Sequence, residues 1–161
     1  MAVCSMLLAG SCLCQGKGSP SPQYRSVRGR YINADYGFSV EIAAGFVGQG
    51  SLAPNPNHGF RIQLDNESAI WVDASYDMDA ARDDAPHAFE TINARLGKLE
   101  AERKSWSDTV DGVERFHDEI VASDRGILYT IQADTTVKRR PDALRVFETL
   151  INSFATIPIR P

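Results

Sequence analysis

The segment "VERFHDEIVA", residues 113–122, places an arginine, a histidine and three carboxylates within one alternating apolar pattern. Alternate side chains of a β-strand point to opposite faces of the sheet. One face therefore carries Arg115, His117 and Glu119, and the other carries Asp118 between apolar neighbours. A carboxylate buried in that way needs a partner, or its pKa rises. The first face is typical either of acid–base chemistry or of a salt-bridged sheet surface.

Acid–base catalysis at His117 would need a second group, for which Asp118, Asp73 and His58 are the candidates. A small hydrolase or metal-dependent enzyme is therefore one hypothesis, and Asp73 or Gln132 is the expected cross-strand neighbour. The sequence contains no Gly-x-Ser-x-Gly motif, no phosphate-binding Gly-rich loop and no His-Glu-x-x-His motif. We therefore favour binding without catalysis. The candidate binding residues are His58, Arg61, Arg115, His117 and Glu119.

The other two histidines, His58 and His87, are also either functional or structural residues. His58, in "PNPNHGF" at 54–60, follows turn-forming residues, so it either belongs to a turn or presents an imidazole for binding. His87 and Glu90 lie three residues apart on a predicted helix, but two ligands do not make a metal site. No metal or cofactor is expected. The aromatic residues that could form a ligand platform or pack in the core are Trp71, Tyr76, Trp106 and Tyr129.

Composition and charge favour a single globular domain that does not bind nucleic acid. The chain has 161 residues, of which 43% are hydrophobic and 24% charged. Residues 1–34 contain four basic and no acidic residues, whereas the remainder holds 13 bases against 21 acids, a charge of -8. Such an acidic body lacks the cationic face that phosphate binding requires.

The N-terminus, "MAVCSMLLAGSCLC", is apolar or small throughout and resembles a bacterial lipoprotein signal. Small residues precede Cys12, which is the predicted lipidation site, with Cys14 as the alternative. A plain secretory signal and a cytoplasmic protein with an unusual tail are the other interpretations. All three cysteines lie in this segment, so the body has no disulfide framework. We predict a leader at 1–14 and a flexible basic tether at 15–29.

The remaining residues predict one α+β domain at 30–157, followed by a tail at 158–161. Period-two patterns predict strands in "YINADYGFSVEI", "FRIQL" and "AIWVDAS", and Asp111-Gly112 predicts a hairpin within a three-strand meander. Helical spacing predicts helices at 85–103 and from Pro141 onward. We expect a curved, mostly antiparallel sheet of six to seven strands, covered by two amphipathic helices.

The order of these elements is similar to that of the PsbP/Mog1-like superfamily. "YGFSVEI" looks like the opening hairpin of that group, and "VFETLINSF" is similar to its terminal helix. The resemblance covers roughly residues 31–154 and implies an accessory or binding domain. It carries over no catalytic motif.

These observations predict a non-catalytic binding or accessory module of the bacterial cell envelope, anchored in the membrane by a lipid or free in the periplasm. Its partner would be an unidentified protein or small molecule. The alternatives are the enzyme centred on His117 and a structural domain of an envelope assembly.

Overall fold

The computed structural model describes residues 24–52, 57–76 and 90–159. The predicted leader, with Cys12 and Cys14, lies outside these ranges. So do His87 and the first residues of the predicted helix at 85–103.

The described residues form eleven strands and one helix. In chain order the elements are β1 (Tyr24–Val27), β2 (Arg30–Asn33), β3 (Phe38–Glu41), β4 (Gly48–Ser51), β5 (Gly59–Gln63), β6 (Ala69–Tyr76), β7 (Glu90–Leu96), β8 (Leu99–Val110), β9 (Val113–Asp124), β10 (Ile127–Thr136), α1 (Arg140–Ser153) and β11 (Ala155–Thr156).

The eleven strands form two sheets, which enclose one core together with the helix. Eight strands form a large sheet in the order β1-β4-β5-β6-β10-β9-β8-β7, and β11-β3-β2 form a small one. Every pairing is antiparallel. Helix α1 contacts β6, β7 and β10 of the large sheet and β3 of the small one. We call the face of the large sheet that α1 contacts the inner face, and the opposite one the outer face.

Aromatic side chains join the two sheets across the inner face. The ring of Tyr31 on β2 lies 4.7 Å from that of Phe60 on β5, measured between centroids. Phe38 on β3 lies 5.8 Å from Tyr129 on β10 in the same way. All four side chains are buried. The small sheet is therefore part of the core, together with the apolar face of α1.

The antiparallel sheet and the terminal helix are confirmed, but the sheet is larger and the helices fewer than predicted. The predicted helix at 85–103 is wrong over its described part, where β7 and β8 form a hairpin. Leu96 and Leu99 fit helical spacing, yet they are also a directly opposed pair across the turn. Gly97 has φ +58°, which ends any helix there. Pairing of β8 with β9 favours the strand over the predicted helix in this segment.

The predicted hairpin turn at Asp111-Gly112 is confirmed. Its φ angles are 51° and 80°, and Arg125-Gly126 between β9 and β10 has 52° and 74°. Two successive positive φ angles are the type I′ pattern that suits twisted hairpins. The meander of β8, β9 and β10 therefore follows from local turn chemistry.

The end of the predicted tether belongs to the sheet. Tyr24–Val27 pair with β4 as strand β1, and these residues precede the predicted boundary at residue 30. Within the described ranges, no helix has the length and apolar character needed to cross a bilayer.

Candidate functional site

The outer face of the large sheet carries polar side chains in rows that run across the strands. Four of the five predicted binding residues share it, because they alternate with residues of the core: Arg61, Arg115, His117 and Glu119. The central row contains one residue from each strand that it crosses, and each of these residues is directly paired with the row's residue on the neighbouring strand. From β5 to β8 this row is Arg61, Trp71, Gln132, Glu119 and Lys104.

His117 lies in a compact group that we call the His117 cluster: Trp106, Asp108, Arg115, His117 and Asp134. Its imidazole stacks on the indole of Trp106, with centroids 4.9 Å apart. Nε2 lies 3.2 Å from Asp108 Oδ1, and Nδ1 lies 3.8 Å from Asp134 Oδ1. The side chain is only 12% exposed. Both ring nitrogens therefore already face carboxylates.

Arg115 supplies a permanent positive charge to the His117 cluster. Its Nη2 and Nε donate to Asp134 Oδ1 at 2.6 and 2.8 Å. Nη2 also donates to the backbone carbonyl of Glu67 in the turn before β6. Ion pairs of this kind form a structural ladder across neighbouring strands. The sequence suggested that ladder but did not identify Asp108 and Asp134 as its members.

Asp118 lies on the inner face, as alternation predicted, and is 5% exposed. It accepts a hydrogen bond of 2.7 Å from Ser105 Oγ and lies 3.5 Å from Arg103 Nη2. Arg103 Nη1 donates to Glu148 of α1 at 2.8 Å. Of the two alternatives that the sequence left open for this buried carboxylate, the structure shows the paired one. Because the sheet separates them, Asp118 and His117 do not act on one substrate atom.

Asp73 does not neighbour His117 either. It lies opposite Thr130 and Gly59, whereas Gln132, the other expected neighbour, lies opposite Glu119. His117 and Asp73 are separated by two strand spacings and four residues along the strand. Those offsets place their Cα atoms about 16 Å apart.

Asn57 and His58 are held firmly at the start of β5. The Tyr31 hydroxyl donates to Asn57 Oδ1 at 2.8 Å, and Asn33 Nδ2 donates to the Asn57 carbonyl at 2.6 Å. His58 Nδ1 lies 2.9 Å from the Ala74 carbonyl, and the Ala74 N–H donates back to His58 O at 2.9 Å. His58 is thus more than a turn residue, because its ring helps to join β5 to β6.

A cavity of about 330 Å³ lies on the outer face over β1, β4, β5 and β6. We call it the Arg61 pocket. The lining side chains that matter here are Tyr24, Gln49, His58, Arg61, Trp71 and Asp73. The Arg61 guanidinium carbon lies 5.0 Å from the centroid of the Trp71 ring, a cation–π contact. Partial burial raises the pKa of Asp73, and the nearby His58 opposes that shift.

Sequence reasoning found His58 and Arg61 as candidate binding residues but missed the pocket itself. Tyr24 and Gln49 come from β1 and β4, which are brought to β5 only by sheet pairing. Cavities of about 460 and 400 Å³ also lie over β7 and β8, and both include Asn93, Glu100 and Ala101.

The predicted aromatic platform is divided among different environments. Trp71 and Trp106 share the outer face, but Trp106 stacks on His117. Tyr129 is buried in the core, and Tyr76 packs 5.5 Å from Tyr36.

The described residues contain no group of three or more His, Cys, Asp or Glu side chains that could hold a metal ion. Of the pair considered for metal binding, His87 lies outside the described ranges. Glu90 begins β7 rather than continuing a helix.

No protein-family model matches this chain, and no curated protein matches it at a significant level. A solved structure from Bacteroides thetaiotaomicron VPI-5482 is similar, with a TM-score of 0.56 at 12% identity. The match covers 83% of this chain and 54% of the Bacteroides chain, so this chain spans about half of that protein. A likeness at this identity shows the fold alone.

Two further structures have lower scores. The cyanobacterial PsbP protein (CyanoP) of Synechocystis sp. PCC 6803 has a TM-score of 0.42 at 18% identity, covering 91% of this chain and 98% of its own. LpqN of Mycobacterium tuberculosis, described as involved in cell envelope biogenesis, has 0.41 at 14%, covering 88% of each chain. A PsbP protein is thus among the similar structures.

Proposed function

We propose that this protein is a non-catalytic binding module of the bacterial cell envelope. In this proposal a lipid on Cys12 holds it at the membrane, and its partner binds the outer face of the large sheet. The observation that carries the proposal is the outer face itself. It combines charges of both signs with the Arg61 pocket, on the side of the sheet opposite α1.

The His117 cluster favours binding over catalysis. Its imidazole is stacked on Trp106 and lies between Asp108 and Asp134. A general base must reach the proton that it removes, and a nucleophile must lie within hydrogen-bond distance of its base. In the described part of the chain the groups that face the ring nitrogens are two carboxylates, Asp108 at 3.2 Å and Asp134 at 3.8 Å, and Asp134 also pairs with Arg115. The cluster acts as a rigid part of the docking surface.

The exposed apolar side chains do not favour a purely structural role. Such a role predicts one contiguous apolar patch. In the described part of the chain the exposed large apolar residues are instead distributed over several elements. They are Tyr24, Ile32, Tyr76, Ile92, Val110, Val113, Val137 and Ile159.

Membrane fractionation tests the anchor. We expect the full-length chain, expressed in a bacterial host, to remain with the membranes, and Cys12→Ala to move to the soluble envelope fraction. Cys14→Ala is the matched control and should behave like the wild type. Membrane retention of Cys12→Ala would overturn the lipid anchor. A soluble wild type with an unprocessed N-terminus would overturn export.

Site-directed photo-crosslinking tests the docking face. A photoreactive residue in place of Glu119 should crosslink to a partner in envelope extracts, because Glu119 lies in the central row of the outer face. The control position is Asn152, which is exposed on α1. Equal crosslinking from both positions, or crosslinking only from Asn152, would contradict the proposed face.

A further inference from the structure

We propose that the Arg61 pocket binds a neutral mono- or disaccharide, an inference that rests on the proposed binding role of the outer face. The pocket is a shallow concavity of about 330 Å³. That volume lies at the low end of the range of about 300–1,000 Å³ for small-molecule sites in proteins. It therefore suits a ligand of one or two sugar rings rather than a larger cofactor.

The charges of the pocket favour a ligand without net charge. Arg61 and Asp73 both line it, and among the described residues neither forms a salt bridge. Arg61 lies opposite Trp71, and Asp73 is two residues further along the same strand, so the two charges are diagonal neighbours. Their opposite signs largely cancel. A phosphate or sulfate would be repelled by Asp73, and a polycation by Arg61.

The aromatic side chains provide the apolar surface of the site. Trp71 is half-buried, and the guanidinium carbon of Arg61 lies 5.0 Å from the centroid of its ring. Tyr24 lies on the rim of the pocket and is 57% exposed. A pyranose ring presents an apolar face of C–H groups with hydroxyl groups around its edge. It can pack on these rings while its hydroxyls remain near the polar side chains.

The polar groups match hydroxyls because they include both donors and acceptors. Arg61 supplies only donors, Asp73 as a carboxylate supplies only acceptors, and Gln49 supplies both. A sugar hydroxyl can donate to one group and accept from another. A simple anion would satisfy Arg61 alone. The pocket thus combines an aromatic surface with a small number of placed polar groups, as small-molecule sites do.

Tryptophan fluorescence offers a direct test, because the chain has only two tryptophans. In Trp106→Phe, Trp71 is the only one left, and the replaced side chain is outside the pocket. Titration of this protein with glucose, N-acetylglucosamine and maltose should give a saturable change in emission for at least one sugar. We expect half-saturation at or below about 10 mM, the range of weak small-molecule binding.

Variants of the pocket then identify the contacts. In the Trp106→Phe background, Arg61→Ala and Asp73→Asn should each weaken binding about tenfold or more, the effect of losing one hydrogen bond to a charged group. Arg95→Ala, which removes a charge from an exposed position on β7, is the matched control and should have less than about a twofold effect. Unchanged melting curves would show that the variants remain folded.

Two results would overturn the saccharide assignment. One is the absence of a saturable response to all three sugars. The other is a saturable response to glycine or L-lysine without one to any sugar, since that would indicate a zwitterionic ligand. If either is obtained while Glu119 still crosslinks to a partner, the ligand class is wrong and the binding face remains. If the photoreactive residue at position 119 gives no crosslink, the proposed function itself is contradicted.

Discussion

His117 stacks almost flat on Trp106, with ring planes inclined by only 10° and centroids 4.9 Å apart. The two residues lie directly opposite each other on β9 and β8. Asp108, on the same face of β8 as Trp106, reaches the imidazole from its edge. The stack therefore excludes solvent from most of the ring and holds it beside the carboxylates.

We expect the Trp106–His117 pair to contribute measurably to stability. Stacked aromatic pairs contribute about 0.5–1.5 kcal/mol beyond the area that they bury. A double-mutant cycle with Trp106→Ala, His117→Ala and the double variant should give a coupling free energy in that range, measured by urea unfolding. Additive effects of the two substitutions would contradict a direct interaction.

Asp118 should be far more sensitive to substitution than exposed carboxylates of the same strand. Asp118→Ala leaves Ser105 without its acceptor and removes one partner from Arg103. Because Arg103 keeps Glu148, we expect a loss of about 2–3 kcal/mol, below the usual cost of breaking a buried pair. Glu114→Ala, at an exposed position of β9, is the control and should change the free energy of unfolding by less than about 0.5 kcal/mol. Equal effects would indicate that the Asp118 network does not stabilise the fold.

Gly97 joins the β7–β8 hairpin to the end of α1. It has φ +58°, and its N–H donates to Ile151 O at 2.9 Å. A Cβ there would lie 2.0 Å from Phe154 O. Gly97→Ala should therefore cost more than about 3 kcal/mol, because backbone strain is added to a steric clash.

Gly112 is the matched control for that substitution. It has φ +80°, but a Cβ there would meet no atom within 4 Å. Gly112→Ala should cost only about 1–2 kcal/mol, from backbone strain alone. Comparable losses from the two substitutions in chemical unfolding would contradict a close contact between Gly97 and α1.

Asp73 should make stability depend on pH in a defined direction. Burial raises its pKa above the value of 3.8 that it has in the unfolded chain. The native state then holds this proton more tightly, so the contribution of Asp73 to stability falls as pH rises from 3.8 through the raised pKa. Asp73→Asn removes the effect. Its melting temperature, relative to the wild type, should therefore rise between pH 3 and pH 7. The expected rise is only about 1–2 °C, because the Asp73 side chain is only partly buried and solvent screens its charge.

The control for the pH experiment is Ser75→Ala, two residues further along β6. It removes no titratable group, so its melting temperature relative to the wild type should show no comparable change between the two pH values. A lower relative melting temperature of Asp73→Asn at pH 7 than at pH 3 would contradict the direction of the shift.

Several features of the molecule were predictable from residues that are close in sequence. Alternation along β9 correctly placed Arg115, His117 and Glu119 on one face and buried Asp118 on the other. The turn at Asp111-Gly112 was predictable because few dipeptides accept two positive φ angles. The predicted leader and anchor come from the sequence alone and remain predictions.

Only the tertiary structure decided which strands meet. Residues 90–99 have spacing that suits a helix, and their pairing within an eight-stranded sheet overrides it. The partners of His117 are Asp108 and Asp134 rather than Asp73, because strand order and register depend on contacts between distant segments. For the same reason the Arg61 pocket, assembled from four strands, has no signature in any one stretch of the chain.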